Sequence, residues 1–243
     1  MQAGAGVLAM ALFMPQVRRW LPRLSSALLL GTLAAMLATL FLDHGLDGVH
    51  RWLSVGPLRL HIGLLLIPAL LTVHARGDCG ITACLAIMVC AQLTARQPDL
   101  GTALAMTIAL LPSALIRRAR GDGIALAMAA LTSAFFFDNP DPLQPVAMVE
   151  HVLTDSWQWT AWTGPLALIG ALILPVALLW RGFVDPAMRL PAVTLAGLWF
   201  GLLLASLIGH YPVPLLGYGA SAVLGWGLAL AWMLAPVTKD ADR

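Results

Sequence analysis

The sequence predicts an all-α fold, a polytopic transmembrane helical bundle, and three observations predict it. Apolar residues make up 60% of the 243-residue chain and charged residues only 11%, where soluble domains carry about 25% charged. Apolar runs recur at intervals of about 20 residues, the length of a helix that crosses a bilayer. No Asp, Glu, Lys or Arg falls in the middle of any run, as expected where a charge at a helix centre costs about 2.5–3.5 kcal/mol. One transmembrane domain over 1–243 follows, with about eight full spans and a partial apolar segment at the N-terminus.

Met1–Met14 is apolar but short, and Pro15-Gln16 closes it. It falls below the roughly 20 residues a span needs, so it reads as a partial helix, a re-entrant piece or the stub of a longer span. No positive region precedes it, unlike a signal peptide. Arg18, Arg19 and Arg23 follow as a basic cluster, and full spans then read as 25–42, 57–75, 80–95, 101–116, 123–137, 162–181, 190–209 and 215–235. Between the third and fourth lies Gln97-Pro98-Asp99-Leu100-Gly101-Thr102, a tight turn of a helical hairpin. Pro98 has no N–H to give a helix, Gly101 tolerates turn geometry, and Asp99 caps the next helix at the positive end of its dipole.

Segment 138–160 is the longest stretch outside the spans. Its Asp138-Asn139-Pro140-Asp141-Pro142-Leu143-Gln144-Pro145 holds two carboxylates stiffened by three prolines. Such a pair reads either as a solvated, capped turn or as a general base facing a membrane-bound substrate, its pKa raised by apolar surroundings. From Pro145 to Trp157 the residues Val146, Val149, Leu153 and Trp157 recur near helical spacing, an amphipathic helix lying on the surface. Trp157, Trp159 and Trp162 form an interfacial anchor. The stretch His210–Ser221, with two prolines and two glycines, reads as an irregular segment that lines a cavity or packs as a turn.

Placing the 18–23 segment in the cytoplasm puts eleven of the 14 basic residues inside and leaves only Arg51, Arg59 and Arg96 outside, a decisive positive-inside vote. The tail 237–243 is then cytoplasmic, and the opposite face, with Asp43, Asp47, Asp99, Asp138, Asp141, Glu150 and Asp155, is the acidic one. Topology accounts for the bases, so no nucleic-acid surface is expected. The two Arg-Gly-Asp tripeptides, 76–78 and 120–122, read as cytoplasmic turns. Cys79, Cys84 and Cys90 stand five and six apart, which fits neither a zinc pair nor C-x-x-C. They read as apolar helix residues. Glu150 and His151 are neighbours that share no helix face. No metal site and no cofactor is expected, and the missing midplane charge weighs against an ion-coupled transporter.

Four stretches, in order, resemble the shape, elongation, division and sporulation (SEDS) family, which includes FtsW and RodA. Gly48-Val49-His50-Arg51-Trp52-Leu53-Ser54-Val55-Gly56 is similar to the family's G-x-x-R-W-[IL]-x-x-G, and Gln97–Thr102 to its Q-P-D-L-G-T without a mismatch. Asp141-Pro142-Leu143 resembles the start of its D-P-[FL]-G-x-G-Y, and Val213–Ser221 its final [IV]-P-L-P-[FL]-[IV]-S-Y-G-G-S, with a gap. The resemblance implies a multi-pass protein of the bacterial inner membrane, acting in peptidoglycan synthesis, cell shape or cell division. It implies a glycosyltransferase that polymerises lipid II, a polyprenyl-linked glycan, beside a single-span transpeptidase. By the same resemblance Asp141 would be the general base, Arg51, Gln97, Asp99, Gly101 and Thr102 would build the outward cavity, and Tyr218 and Ser221 its floor.

Departures are equally specific. The family's Q-P-S-E-x-x-K is replaced by Leu60-His61-Ile62-Gly63-Leu64-Leu65-Leu66-Ile67, so its Glu and Lys are absent. After Asp141-Pro142-Leu143 the expected G-x-G-Y reads Gln144-Pro145-Val146-Ala147, and the outer loop is cut to about 20 residues. Three readings follow: a compact relative that still transfers a sugar, a non-catalytic scaffold or assembly subunit for a partner membrane complex, and a flippase for the lipid-linked precursor.

Overall fold

The computed structural model describes residues 14–43, 45–56, 58–137, 142–144, 149–209, 211–216 and 219–236. Helix α1 (Pro15–Trp20) passes through a 3-10 turn at Leu21–Leu24 into α2 (Ser25–Leu42). A hairpin of β1 (Trp52–Val55) and β2 (Leu58–His61) leads into α3 (Ile62–Arg76), followed by α4 (Gly80–Arg96), α5 (Leu100–Ile116) and α6 (Arg120–Phe137). After α7 (Val152–Trp159) come α8 (Thr163–Val184), a 3-10 turn at Pro186–Met188, α9 (Arg189–Ile208) and α10 (Ala220–Met233).

Each of the eight expected runs falls on a helix, with three differences. The basic cluster at Arg18, Arg19 and Arg23 is helical, because Pro15 opens a helix where its fixed φ suits the first turn. The run expected from 57 is a strand through His61, and the fold is therefore not purely α-helical. Leu58-Arg59-Leu60-His61 alternates apolar and polar, the period of a strand, and pairs antiparallel with β1 so that Trp52 faces His61. The surface helix expected from Pro145 runs instead over Val152–Trp159, with residues 145–148 outside the described part. Met1–Phe13, Asp141, Tyr218 and the tail 237–243 also lie outside it.

Among the described residues, three helical stretches are long and apolar enough to cross a membrane: Pro15–Leu42, Thr163–Val184 and Pro186–Ile208. Four shorter apolar helices, α3, α4, α5 and α10, pack beside them. The outside of the bundle is apolar. Helix α8 exposes Leu166, Ile169, Ile173, Val176, Trp180 and Phe183, a surface that water would not tolerate on a monomer. This is a membrane protein.

Inside, small residues let backbones approach, as helices in lipid require. A Cβ on Gly225 of α10 would run into the Leu64 and Leu65 carbonyls of α3, and one on Gly201 of α9 into the Ala105 backbone of α5. Trp199 of α9 is buried, donates its Nε1 hydrogen to the Ala171 carbonyl of α8 at 2.7 Å, and meets Trp226 of α10 edge-on at 4.9 Å. Arg76, at the far end of α3, ties it to the end of α10 through the Ala235 carbonyl at 3.0 Å.

Candidate functional site

At one end of the bundle the hairpin, the start of α3, the 97–102 turn and residues 211–216 and 219–222 converge. The turn is built as its residue types dictate. Asp99 is the N-cap of α5, and its Oδ1 accepts the Thr102 N–H at 3.0 Å. Gln97 is fully buried and donates from Nε2 to the Thr39 hydroxyl at 2.8 Å and the Met36 carbonyl at 3.1 Å, joining the turn to α2. Gly101 takes the ring of Tyr211 directly against its backbone: a Cβ there would lie 2.5 Å from the ring. The Tyr211 hydroxyl in turn accepts the Leu100 N–H at 3.1 Å.

Arg51 locks this turn from the hairpin side. It is 4% exposed, donates through Nε to the Gln97 carbonyl at 3.3 Å and through Nη2 to the Pro98 carbonyl, and lies over the Tyr211 ring at 5.3 Å. His61 caps α3: its Nδ1 accepts the Leu64 N–H at 3.2 Å. That bond leaves the ring proton on Nε2, which faces Asp99 Oδ2 at 3.7 Å. Burial works to raise the Asp99 pKa, but Arg51, His61 and the Thr102 hydrogen bonds outweigh it and hold the carboxyl below its usual range. Asp99 Oδ2 takes no hydrogen bond among the described residues.

Above this layer opens a pocket of about 220 Å³, and Arg51, Trp52, Arg59, His61, Glu150, Tyr211 and Ser221 contribute to its wall. Ser221 accepts the His61 backbone N–H through its hydroxyl at 2.9 Å, which fixes the start of α10 to the hairpin. Of the residues singled out in the sequence, Arg51 and Ser221 line the pocket. Gln97, Asp99, Gly101 and Thr102 are buried beneath it as the frame that holds Arg51 and His61. Asp141 and Tyr218 lie outside the described residues, although Leu143, two residues past Asp141, reaches the pocket.

The sequence reading missed Arg59, His61 and Glu150 as pocket residues. The alternation of Leu58–His61 was the available signal for the first two: on a strand it separates Leu58 and Leu60 from Arg59 and His61. Glu150 had none, since nothing in its local sequence ties it to the hairpin residues with which it shares the pocket.

A second polar cluster lies at the other end of α3. His74, Cys84 and Asp122 are all buried and bring one donor atom each within 4.8 Å of the others. Arg117 stands against Asp122 at 3.2 Å. The cysteine spacing gave no hint of it.

No family model matches the sequence, and no curated protein does. Solved structures do match the fold. The crystal structure of the rod shape determining protein RodA of Thermus thermophilus, as its D255A mutant, superposes with a TM-score of 0.69 at 21% identity, over 96% of this chain and 86% of that one. RodA without the mutation gives 0.67 at the same identity and coverage. A chain from a structure titled for a peptidoglycan synthase complex coordinating polymerization and crosslinking gives 0.60 at 20% identity, over 96% and 87%. The chain has the RodA fold, that of a SEDS protein.

Proposed function

We propose that this chain is a SEDS-like protein of the bacterial inner membrane whose pocket receives the headgroup of a polyprenyl-linked glycan such as lipid II. On this reading it serves peptidoglycan synthesis, cell shape or division beside a membrane partner, for which a single-span transpeptidase is the first candidate. The RodA fold supports the reading, as does the four-stretch resemblance. The observation that carries it is the pocket itself: Arg59 and His61 converge with Trp52 and Tyr211 above the buried Arg51 at one end of a membrane bundle. Cations and aromatic faces are the chemistry that a diphosphate joined to a sugar recruits. With about eight spans, the positive-inside count supports a pocket facing outward and a C-terminus in the cytoplasm.

Binding without polymerisation fits these residues best. The stretch Leu60–Ile67, which stands where the family carries its Glu and Lys, has neither, and its Leu64 faces the pocket. At about 220 Å³ the pocket is smaller than the ~300–1,000 Å³ of common small-molecule sites, which leaves room for a diphosphate or one sugar ring of a headgroup rather than for donor and acceptor together. Glu150 favours a second, catalytic reading: it brings a carboxylate to the pocket wall, and Asp141 would be the base by resemblance.

Purified protein supplied with lipid II separates the readings. The binding reading expects saturable lipid II binding that Arg59→Ala weakens by about tenfold, the loss of one charge-assisted contact of about 1.5 kcal/mol. Absence of binding sinks the proposal. Polymer that disappears in Asp141→Ala would overturn the scaffold reading. No polymer from either protein, even with a transpeptidase added, overturns the enzyme reading. Transbilayer movement of lipid II in vesicles, without polymer, would make the protein a flippase.

A further inference from the structure

We propose that the cluster at the end of α3 remote from the pocket is a site for a zinc-class divalent cation, held by Cys84 of α4, His74 of α3 and Asp122 of α6. The site is independent of the lipid-glycan reading. Helix α3 sets the two ends apart: 13 residues separate His61 from His74, about 20 Å along a helix axis.

One donor atom from each residue lies within 4.8 Å of the other two, and Cys84 Sγ stands 3.6 Å from Asp122 Oδ1. Donors around a tetrahedral zinc, at bond lengths of about 2.0–2.3 Å, lie roughly 3.3–3.7 Å apart, so the cluster closes on an ion by small side-chain shifts. One imidazole nitrogen of His74 is the third ligand, either Nδ1, now 3.8 Å from Cys84 Sγ, or Nε2, now 3.1 Å from Asp122 Oδ1. All three side chains are buried, and Asp122 Oδ2 faces Arg117 while its Oδ1 faces Cys84 and His74. Sulfur, imidazole and carboxylate together select zinc-class ions over calcium and magnesium, which take oxygen alone. Three protein ligands leave a fourth position for water.

Charge decides whether a dication can enter, and here it closes at zero. The Cys84 thiol loses its proton to water, giving one thiolate and one carboxylate against two positive charges. Arg117 is the cation that Asp122 holds otherwise: its Nε is 3.2 Å from Asp122 Oδ2, and its Nη2 contacts His74 Nε2 at 3.1 Å. Unlike the three ligands, its side chain is 29% exposed, so it turns out to water as the metal enters. Turning out gives up its Nη2 bonds to the His74 carbonyl at 3.0 Å and the Ser113 hydroxyl at 3.3 Å, a cost that the metal must outweigh. Arg117 is thus a competitor of the metal, and this makes the proposal easy to break.

The test loads the full chain in detergent micelles with Co2+ and with Zn2+. One metal per chain and a sulfur-to-cobalt charge-transfer band are expected. Cys84→Ser, which exchanges one atom, should lose the band and bind zinc at least about tenfold more weakly. Arg117→Gln removes the competing charge and should tighten zinc binding by about tenfold. Sub-stoichiometric metal in both the unaltered protein and Arg117→Gln overturns the proposal, and so does a band or zinc affinity unchanged in Cys84→Ser. The Arg117→Gln arm reads the site even if a ligand variant fails to fold.

Discussion

Helix α3 carries a histidine near each end, and each faces an aspartate while an arginine stands close by. At the pocket end His61 lies 3.7 Å from Asp99, and Arg51 spends its donors on the Gln97 and Pro98 carbonyls. At the other end His74 lies 3.1 Å from Asp122, and Arg117 addresses that carboxylate directly. The same residue types therefore build different devices. Arg51 is 4% exposed and fixes a backbone turn under an open pocket, whereas the Arg117 side chain is 29% exposed and plugs a closed cluster. Both arginines bond backbone carbonyls, so what separates a frame from an exchangeable contact is how far the side chain is open to water.

The largest effect should come from removing the frame. Arg51→Ala leaves the buried Asp99 carboxylate without the cation that most favours its charged form and frees two turn carbonyls. A loss of about 3–5 kcal/mol is expected, as when one partner of a buried pair is deleted. Denaturation of the detergent-solubilised protein measures it; a loss under 1 kcal/mol would mean that Arg51 is not the lock. Arg117→Gln should cost less, about 1–3 kcal/mol, because His74 still stands 3.1 Å from Asp122. If the two variants are equally destabilised, the contrast between the two ends fails.

These two ends were unequally legible in the sequence. The turn at 97–102 was readable because a Pro-Asp step between apolar runs demands a cap, and Asp99 provides it to Thr102. The helices were readable from apolar runs alone, and the hairpin was obscured because Leu58 and Leu60 extend the apolar run of α3 backwards. Arg51 announced itself only through resemblance, since its carbonyl partners lie 46 and 47 residues away. The second cluster was illegible for the same reason. His74 and Cys84 are 10 residues apart and Cys84 and Asp122 are 38 apart, separations that match no local metal motif and become contacts only when α3, α4 and α6 pack.

Acid sharpens the comparison through Asp99. Its carboxyl titrates below the usual range in the folded protein, despite burial, because Arg51, His61 and Thr102 favour the charged form. The sign follows from linkage: that stabilisation is fully present above the unfolded value of about 3.9 and is lost as pH falls through the lower folded value. Asp99→Asn should therefore flatten the acid limb of the stability curve and leave the neutral-to-alkaline limb parallel to the unaltered protein. An unchanged acid limb would remove Asp99 from the frame.

The smallest effect distinguishes the ring of Tyr211 from its hydroxyl. The ring covers Gly101 and lies 5.3 Å from Arg51, while the hydroxyl accepts one backbone hydrogen bond from Leu100. Tyr211→Phe keeps the covering face and leaves the first N–H of α5 to find water, a loss of about 1 kcal/mol. Gly101→Ala leaves that bond's partners in place but drives a methyl group into the ring, an overpacking that costs about 1–3 kcal/mol and tilts Tyr211 toward the pocket. If the frame reading is right, Gly101→Ala also weakens lipid II binding whereas Tyr211→Phe leaves it within about twofold, because a shift of well under 1 kcal/mol at the pocket corresponds to that factor. The reverse order would place the Tyr211 hydroxyl, rather than its ring, at the heart of the pocket wall.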